Sequence, residues 1–187
     1  MNRRKFIENS ALAGSGLAII GAASCTTKSS TENKINIQSI VDDVEFINSE
    51  DRKKRIEKAA LLMQQNSIDA VFIESGTSLD YFTGIKWWPS ERLTGVLIFS
   101  DGTLQYIGPA FEKERLEEMI TIKGDVASWE EHENPFELVA KLFKAKSSAT
   151  ATLGMEENVR FFQSNGISFY LPQATITNAK PVTAGCR

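Results

Sequence analysis

The stretch "TGVLIFSDGTLQYIG", Thr94 to Gly108, decides the fold. Two runs, TGVLIFS (94–100) and TLQYIG (103–108), are rich in β-branched, aliphatic and aromatic residues. Side chains of this kind suit a pleated, half-buried surface. Asp101-Gly102 lies between them and supplies the positive φ that a tight turn needs. The stretch therefore predicts an antiparallel hairpin.

Helical signals surround it. Ser49 is placed to cap a helix, with Glu50 and Asp51 on the favourable side of its dipole. Ile56, Ala59, Ala60 and Met63 then recur at helical spacing to about Asn66. DAVFIE (69–74) is a short apolar strand. Pro109 is read as opening a helix to about Met119, and TIKGDVASW (121–129) as a weaker strand. Asn134-Pro135-Phe136-Glu137 starts another helix, with Asn as cap, Pro at the first helical position and Glu137 where a capping-box carboxylate belongs. TATLGME (150–156) is a strand, Asn158 to Gly166 is helical, and Pro181-Val182-Thr183 is extended. Helices alternating with strands predict an α/β domain, a mixed sheet flanked by helices with one antiparallel hairpin. No internal repeat interrupts it.

The amino terminus has a different composition. MNRRKFIENSALAGSGLAIIGAASC (1–25) has a basic head of Arg3, Arg4 and Lys5, then a small apolar run from Ala11 to Ala23. The run is too short and glycine-rich to span a membrane comfortably, and it has no polar face, so residues 1–24 read as a signal peptide. Arg3-Arg4-Lys5-Phe6-Ile7 resembles the twin-arginine export motif. Ala22-Ala23-Ser24-Cys25 resembles a bacterial lipobox, with Ala22 where Leu is usual. Lipidation at Cys25 would anchor the protein to a membrane, because several acyl chains exceed the marginal hold of one. The alternative is cleavage after Ala23, which leaves a soluble periplasmic protein. Residues 25–42 then comprise the lipidated cysteine and a flexible tether, with TTKSSTENK (26–34) rich in Ser, Thr and Asn. The folded domain is expected over 43–187.

Bulk properties narrow the functions. The chain has 187 residues and a net charge of −3. Removing residues 1–24 takes away three positive charges and one negative, so −3 becomes −5. No basic surplus exists to hold a phosphate backbone, which argues against a nucleic-acid partner. Cys25 and Cys186 sit at opposite ends and make no disulfide framework. His132 is the one histidine. It stands in EEHE (130–133), but a metal site needs further ligands from elsewhere, and a solvated loop explains the segment as well. No phosphate loop, nucleophile elbow or CxxC occurs. The stretch YFTGIKWWPSERLTG (81–95) is unusual. Aromatics beside an arginine on a loop suit a ligand wall or an interface; covering the end of the sheet is the alternative.

Six blocks follow in order: GTSLDYFTG (76–84), WWPSER (87–92), GPAFEKERLEE (108–118), WEEHENPFELVAKLF (129–143), GMEENVRFFQSNG (154–166) and PVTAGCR (181–187). Together they resemble the amino-terminal domain of Xaa-Pro aminopeptidases, in the creatinase/prolidase family. Ser78 stands where many relatives carry Asn. The resemblance implies a second, catalytic domain of pita-bread fold, with a dinuclear divalent metal site (manganese, cobalt or zinc) built from two Asp, one His and two Glu. None of those ligands has a match here, so no metal or catalytic residue is assigned, and the chain is expected to be inactive alone. The resemblance further implies a homo-oligomer acting on proline-containing peptides. Trp87, Trp88, Glu91 and Arg92 match a loop that approaches a neighbouring subunit's active site, which implies a substrate-wall role for them. The expected function is the substrate-access and oligomerisation domain of an exported, cell-envelope metallopeptidase. A stand-alone lipoprotein module that binds or assembles partners, or part of a creatinase-like amidinohydrolase, are the alternatives.

Overall fold

The first regular element is a helix that caps itself. In the computed structural model, which describes residues 44–187, α1 runs Ser49–Gln65. Asn48, not Ser49, is its cap: Asn48 Oδ1 accepts from the amides of Glu50 and Asp51 at 2.8 and 3.1 Å. Asp51 Oδ2 accepts in return from Asn48 N at 3.1 Å. This reciprocal pair satisfies donors that the first helical turn leaves bare. It displaces Ser49 into the helix.

Glu45–Arg187 forms one compact unit. Its sheet contains β1 (Ala70–Glu74), β2 (Gly95–Phe99), β3 (Leu104–Pro109), β4 (Asp125–Trp129), β5 (Thr152–Met155) and β6 (Thr175–Asn178). Their spatial order is β4-β3-β2-β1-β5-β6. The β1–β2 and β2–β3 pairs are antiparallel; β3–β4, β1–β5 and β5–β6 are parallel. Five strands thus run one way and β2 alone runs back. The hairpin is the reason for that reversal. Phe99 N donates to Thr103 O at 2.9 Å, which leaves a three-residue loop, and Gly102 takes φ 82°. A three-residue hairpin of this kind needs a left-handed residue at its end, and glycine adopts it without a Cβ clash.

The period-2 alternation of β1 and β2 splits the core in two. Val71, Ile73, Val96 and Ile98 pack with α1, α2 (Thr77–Thr83) and α3 (Lys113–Met119) on one face. Ala70, Phe72, Leu97 and Phe99 pack with α4 (Pro135–Lys146) and α5 (Phe161–Tyr170) on the other. A strand apolar on both faces is the mark of a sheet covered twice.

Several boundaries differ from expectation. Pro109 ends β3 and precedes a 3₁₀ turn, Ala110–Glu112, before α3 begins. The strand expected over 121–129 is confined to Asp125–Trp129. The Asn134 cap forms as expected, accepting from Phe136 N at 2.9 Å. The helix expected over 158–166 starts at Phe161 instead, because Glu74 Oε2 accepts from Arg160 N at 3.2 Å and fixes the entry there. Pro181-Val182-Thr183 is helical, not extended. It belongs to α6 (Lys180–Thr183), where Asn178 Oδ1 accepts from Lys180 N at 2.8 Å and Pro181 occupies the first turn. The signal, lipidation and tether readings at Arg3, Arg4, Cys25 and 26–42 lie outside the described residues.

Candidate functional site at the carboxyl edge of the sheet

Because five strands point the same way, the segments that follow them converge on one edge. Ser75–Thr77 leave β1, Ala110–Glu112 leave β3, Glu130–Glu133 leave β4, Glu156–Asn158 leave β5 and Ala179–Lys180 leave β6. The loop 84–94 enters β2, which runs the opposite way, so it lies at this edge too. Open α/β sheets bind ligands at such an edge.

At the β3–β4 end the centre is Arg92. Its Nη1 donates to Glu91 Oε1 at 2.8 Å, and its Nη2 and Nε donate to Glu131 Oε1 at 3.0 and 3.3 Å. The bond to Glu131 favours the charged guanidinium and holds it above its ordinary pKa. The guanidinium also lies 5.1 Å over the Phe111 ring, a cation–π distance. Trp87 and Trp88 differ sharply in depth. Trp87 is buried in the first core, with the Arg115 guanidinium 4.7 Å over its ring. Trp88 is 84% exposed. The two border a shallow, mostly apolar recess of about 170 Å³ with Gly76, Thr77, Asp80 and Lys86. Trp129 Nε1 donates to Leu93 O at 3.1 Å and anchors the far end of the loop to β4.

The EEHE segment contributes Glu131 to this cluster. Glu130 and Glu133 close the loop on themselves through a Glu130 N bond to Glu133 Oε2 at 2.8 Å. His132 is exposed. Among the described residues no group of three or more His, Cys, Asp or Glu side chains could hold a metal ion. These residues do not fit the dinuclear centre that the family resemblance implies, and no metal-assisted step is derived through them.

The β1–β5–β6 end is different. The chain leaves β1 toward α2 on one face and leaves β5 toward α5 on the other, which opens a crevice between the strand ends. Ser78 Oγ donates to Glu156 Oε1 at 2.8 Å and accepts from Arg187 Nη2 at 2.9 Å. Asn178 Nδ2 donates to Glu157 Oε1 at 2.9 Å, with Lys180 Nζ 3.8 Å from the same oxygen. The space among them is about 280 Å³. Beside it Glu74, the last residue of β1, is held by Arg160 through Nε at 2.7 Å and through Nη2, and by Gln163 Nε2 at 2.9 Å. Sequence reasoning missed Ser78, Glu156, Asn178 and Lys180 as a group. Their signal is positional: each lies at or shortly after the end of a parallel strand.

The sequence and the fold match known proteins. The description "Creatinase/Prolidase N-terminal domain" matches residues 55–187, and the chain belongs to that family. An Xaa-Pro dipeptidase of Lactobacillus helveticus is 29% identical over 126 residues, 66% of this chain and 33% of that protein. A putative dipeptidase of Bacillus subtilis is 26% identical over 104 residues, 56% of this chain and 28% of that protein. The chain thus spans about a third of the length of the curated relatives it matches. Among solved structures, a prolidase from Thermococcus sibiricus superposes with a TM-score of 0.66 at 23% identity, over 75% of this chain and 38% of that one. The creatinase/prolidase amino-terminal domain of an Xaa-Pro dipeptidase from Streptococcus pyogenes gives 0.59 at 20% identity, over 71% and 98%. These structural likenesses show the fold.

Proposed function

We propose that this domain serves as the amino-terminal, non-catalytic half of an exported Xaa-Pro metallopeptidase, where it walls the substrate's approach and contributes to oligomer contacts. The observation that carries the reading is one loop that presents both an exposed Trp88 and, four residues on, the Arg92–Glu131 pair, on a chain of this family. A bare indole offers apolar cover with one polar edge. Arg92 offers a planar fork suited to a peptide carboxylate or carbonyl. Its present partners are exposed carboxylates, and exposed ion pairs contribute little in water, so a substrate group can displace one. Trp87 acts from beneath, as the floor of the recess.

A catalytic part would supply the metal chemistry that the family resemblance implies. The relatives' names support Xaa-Pro dipeptides as substrates; the resemblance to Xaa-Pro aminopeptidases supports longer Xaa-Pro peptides. Assaying the domain joined to a catalytic half on Ala-Pro and Ala-Pro-Pro decides between them. Residues 45–187 alone are expected to release no residue from either peptide, with or without manganese or cobalt. Metal-dependent release by that unit, abolished by changing His132, would overturn the division of labour. The coding sequence beyond Arg187 is expected to continue into a pattern of two Asp, one His and two Glu.

Export is the second part of the proposal. The product is expected to begin at an acylated Cys25. Unchanged fatty-acid labelling and membrane fractionation in Cys25→Ser would remove the lipid anchor. Arg3→Lys with Arg4→Lys keeps the charge and is expected to block the twin-arginine route.

A further inference from the structure

The crevice at the ends of β1, β5 and β6 carries chemistry that the Arg92 cluster does not use. Glu156, Glu157, Lys180 and Arg187 line it. Two are acidic and two basic, so these four give it no net charge with which to draw in a simple anion or cation. The opposite charges meet loosely. Arg187 Nη2 lies 4.0 Å from Glu156 Oε1, and Lys180 Nζ lies 3.8 Å from Glu157 Oε1. A direct charge-assisted hydrogen bond is about 2.7–2.9 Å. The short contacts go to neutral groups instead: Ser78 bridges Glu156 and Arg187, and Asn178 holds Glu157. Each carboxylate is thus aimed by a hydroxyl or an amide and keeps oxygen lone pairs for another donor.

Size and place agree. The space of about 280 Å³ lies just under the range of roughly 300–1,000 Å³ for sites of drug-sized molecules. That leaves room for one amino acid or a short peptide. The crevice also opens where the chain departs from neighbouring parallel strands to opposite faces, the place where open α/β sheets hold ligands.

We propose that this crevice binds a small zwitterion, an α-amino acid or short peptide, whose ammonium meets Glu156 and Glu157 while its carboxylate meets Lys180 and Arg187. Binding exchanges two loose, partly solvated ion pairs for direct bonds to both ends of the ligand. The inference requires no catalysis by this domain, and its binding test fails or succeeds separately from the peptide-release assay that tests the peptidase reading.

The test uses isotope-labelled Glu45–Arg187, a unit with its own two cores. A solved Streptococcus pyogenes relative is likewise an amino-terminal domain alone. Glycylglycine is titrated and backbone amide shifts are followed. Its N-acetyl and C-terminal amide forms, each lacking one charge, are the controls. Saturable shifts are expected at Ser78, Glu156 and Asn178, with a Kd on the order of 1 mM. Each blocked form is expected to bind about tenfold more weakly, as is glycylglycine to Arg187→Gln and to Lys180→Gln. Those two side chains are 49% and 66% exposed, so the variants are expected to keep the fold. Absence of saturable shifts, equal binding of the three ligands, or undiminished binding by both variants would overturn the proposal.

Discussion

The two ends of the sheet's carboxyl edge use the same chemistry, arginine on glutamate, at different depths. Arg92, Glu91 and Glu131 are 40%, 78% and 65% exposed. Glu74, which Arg160 grips, is 7% exposed, and Gln163 beside it is fully buried. An exposed pair adds little to stability and can change partners. A buried carboxylate stripped of its donors, or donors stripped of it, costs far more. The difference teaches that the Arg92 pairs can change partners at little cost, while the Glu74 pair holds the frame beside the β1–β5 crevice.

Breaking the deep end gives the largest expected effect. Glu74→Ala removes the acceptor for Arg160 N, Nε and Nη2 and for Gln163 Nε2. A loss of about 3 kcal/mol is expected, read from the urea midpoint at constant slope. A loss within about 0.5 kcal/mol, normal for a surface change, would erase the contrast between the two ends.

Ser78→Ala probes the middle of the range. Ser78 is buried and bridges Glu156 to Arg187. Its removal is expected to cost about 1–2 kcal/mol and to weaken zwitterion binding as well. Stability lost with binding intact would separate the crevice from zwitterion binding.

The smallest effect lies at the opposite edge, in the β2–β3 turn. Burial alone would raise the Asp101 carboxyl; bonds from the Thr103 hydroxyl at 2.6 Å and amide at 2.9 Å, with Lys146 nearby, outweigh it and hold the carboxyl below its ordinary value. A depressed folded value means stability that is present above the ordinary value of 3.8 and lost as pH falls through the lower, folded one. Asp101→Asn is therefore expected to flatten the acid limb of the stability curve slightly below about pH 4. An unaltered acid limb would show that the turn carries no such coupling.

Local signals made much of this legible. The hairpin followed from Asp101-Gly102 between two apolar runs, and α4 followed from Asn134-Pro135. Elements that depend on distant partners were not legible. β6 is four largely exposed residues, Thr175–Asn178, with no apolar alternation, and it is a strand because β5 lies beside it. α2 is one short turn-rich segment between glycines, fixed by Leu79 and Phe82 reaching the core. Arg92 was visible as a candidate, but its partner Glu131 is 39 residues away and arrives through the parallel pairing of β3 and β4. Trp87 and Trp88 are neighbours of one type, and only tertiary packing tells that one is floor and the other surface.

The most direct measurement takes Arg92→Ala and Trp88→Ala in the domain joined to a catalytic half and follows kcat/KM for an Xaa-Pro peptide together with the melting midpoint. The account predicts a fall of about tenfold in kcat/KM for each, with the midpoint within a degree or two of the parent, because neither side chain supports the core. Unchanged kinetics, or a large fall in the midpoint, would contradict it and return the loop to a purely structural role.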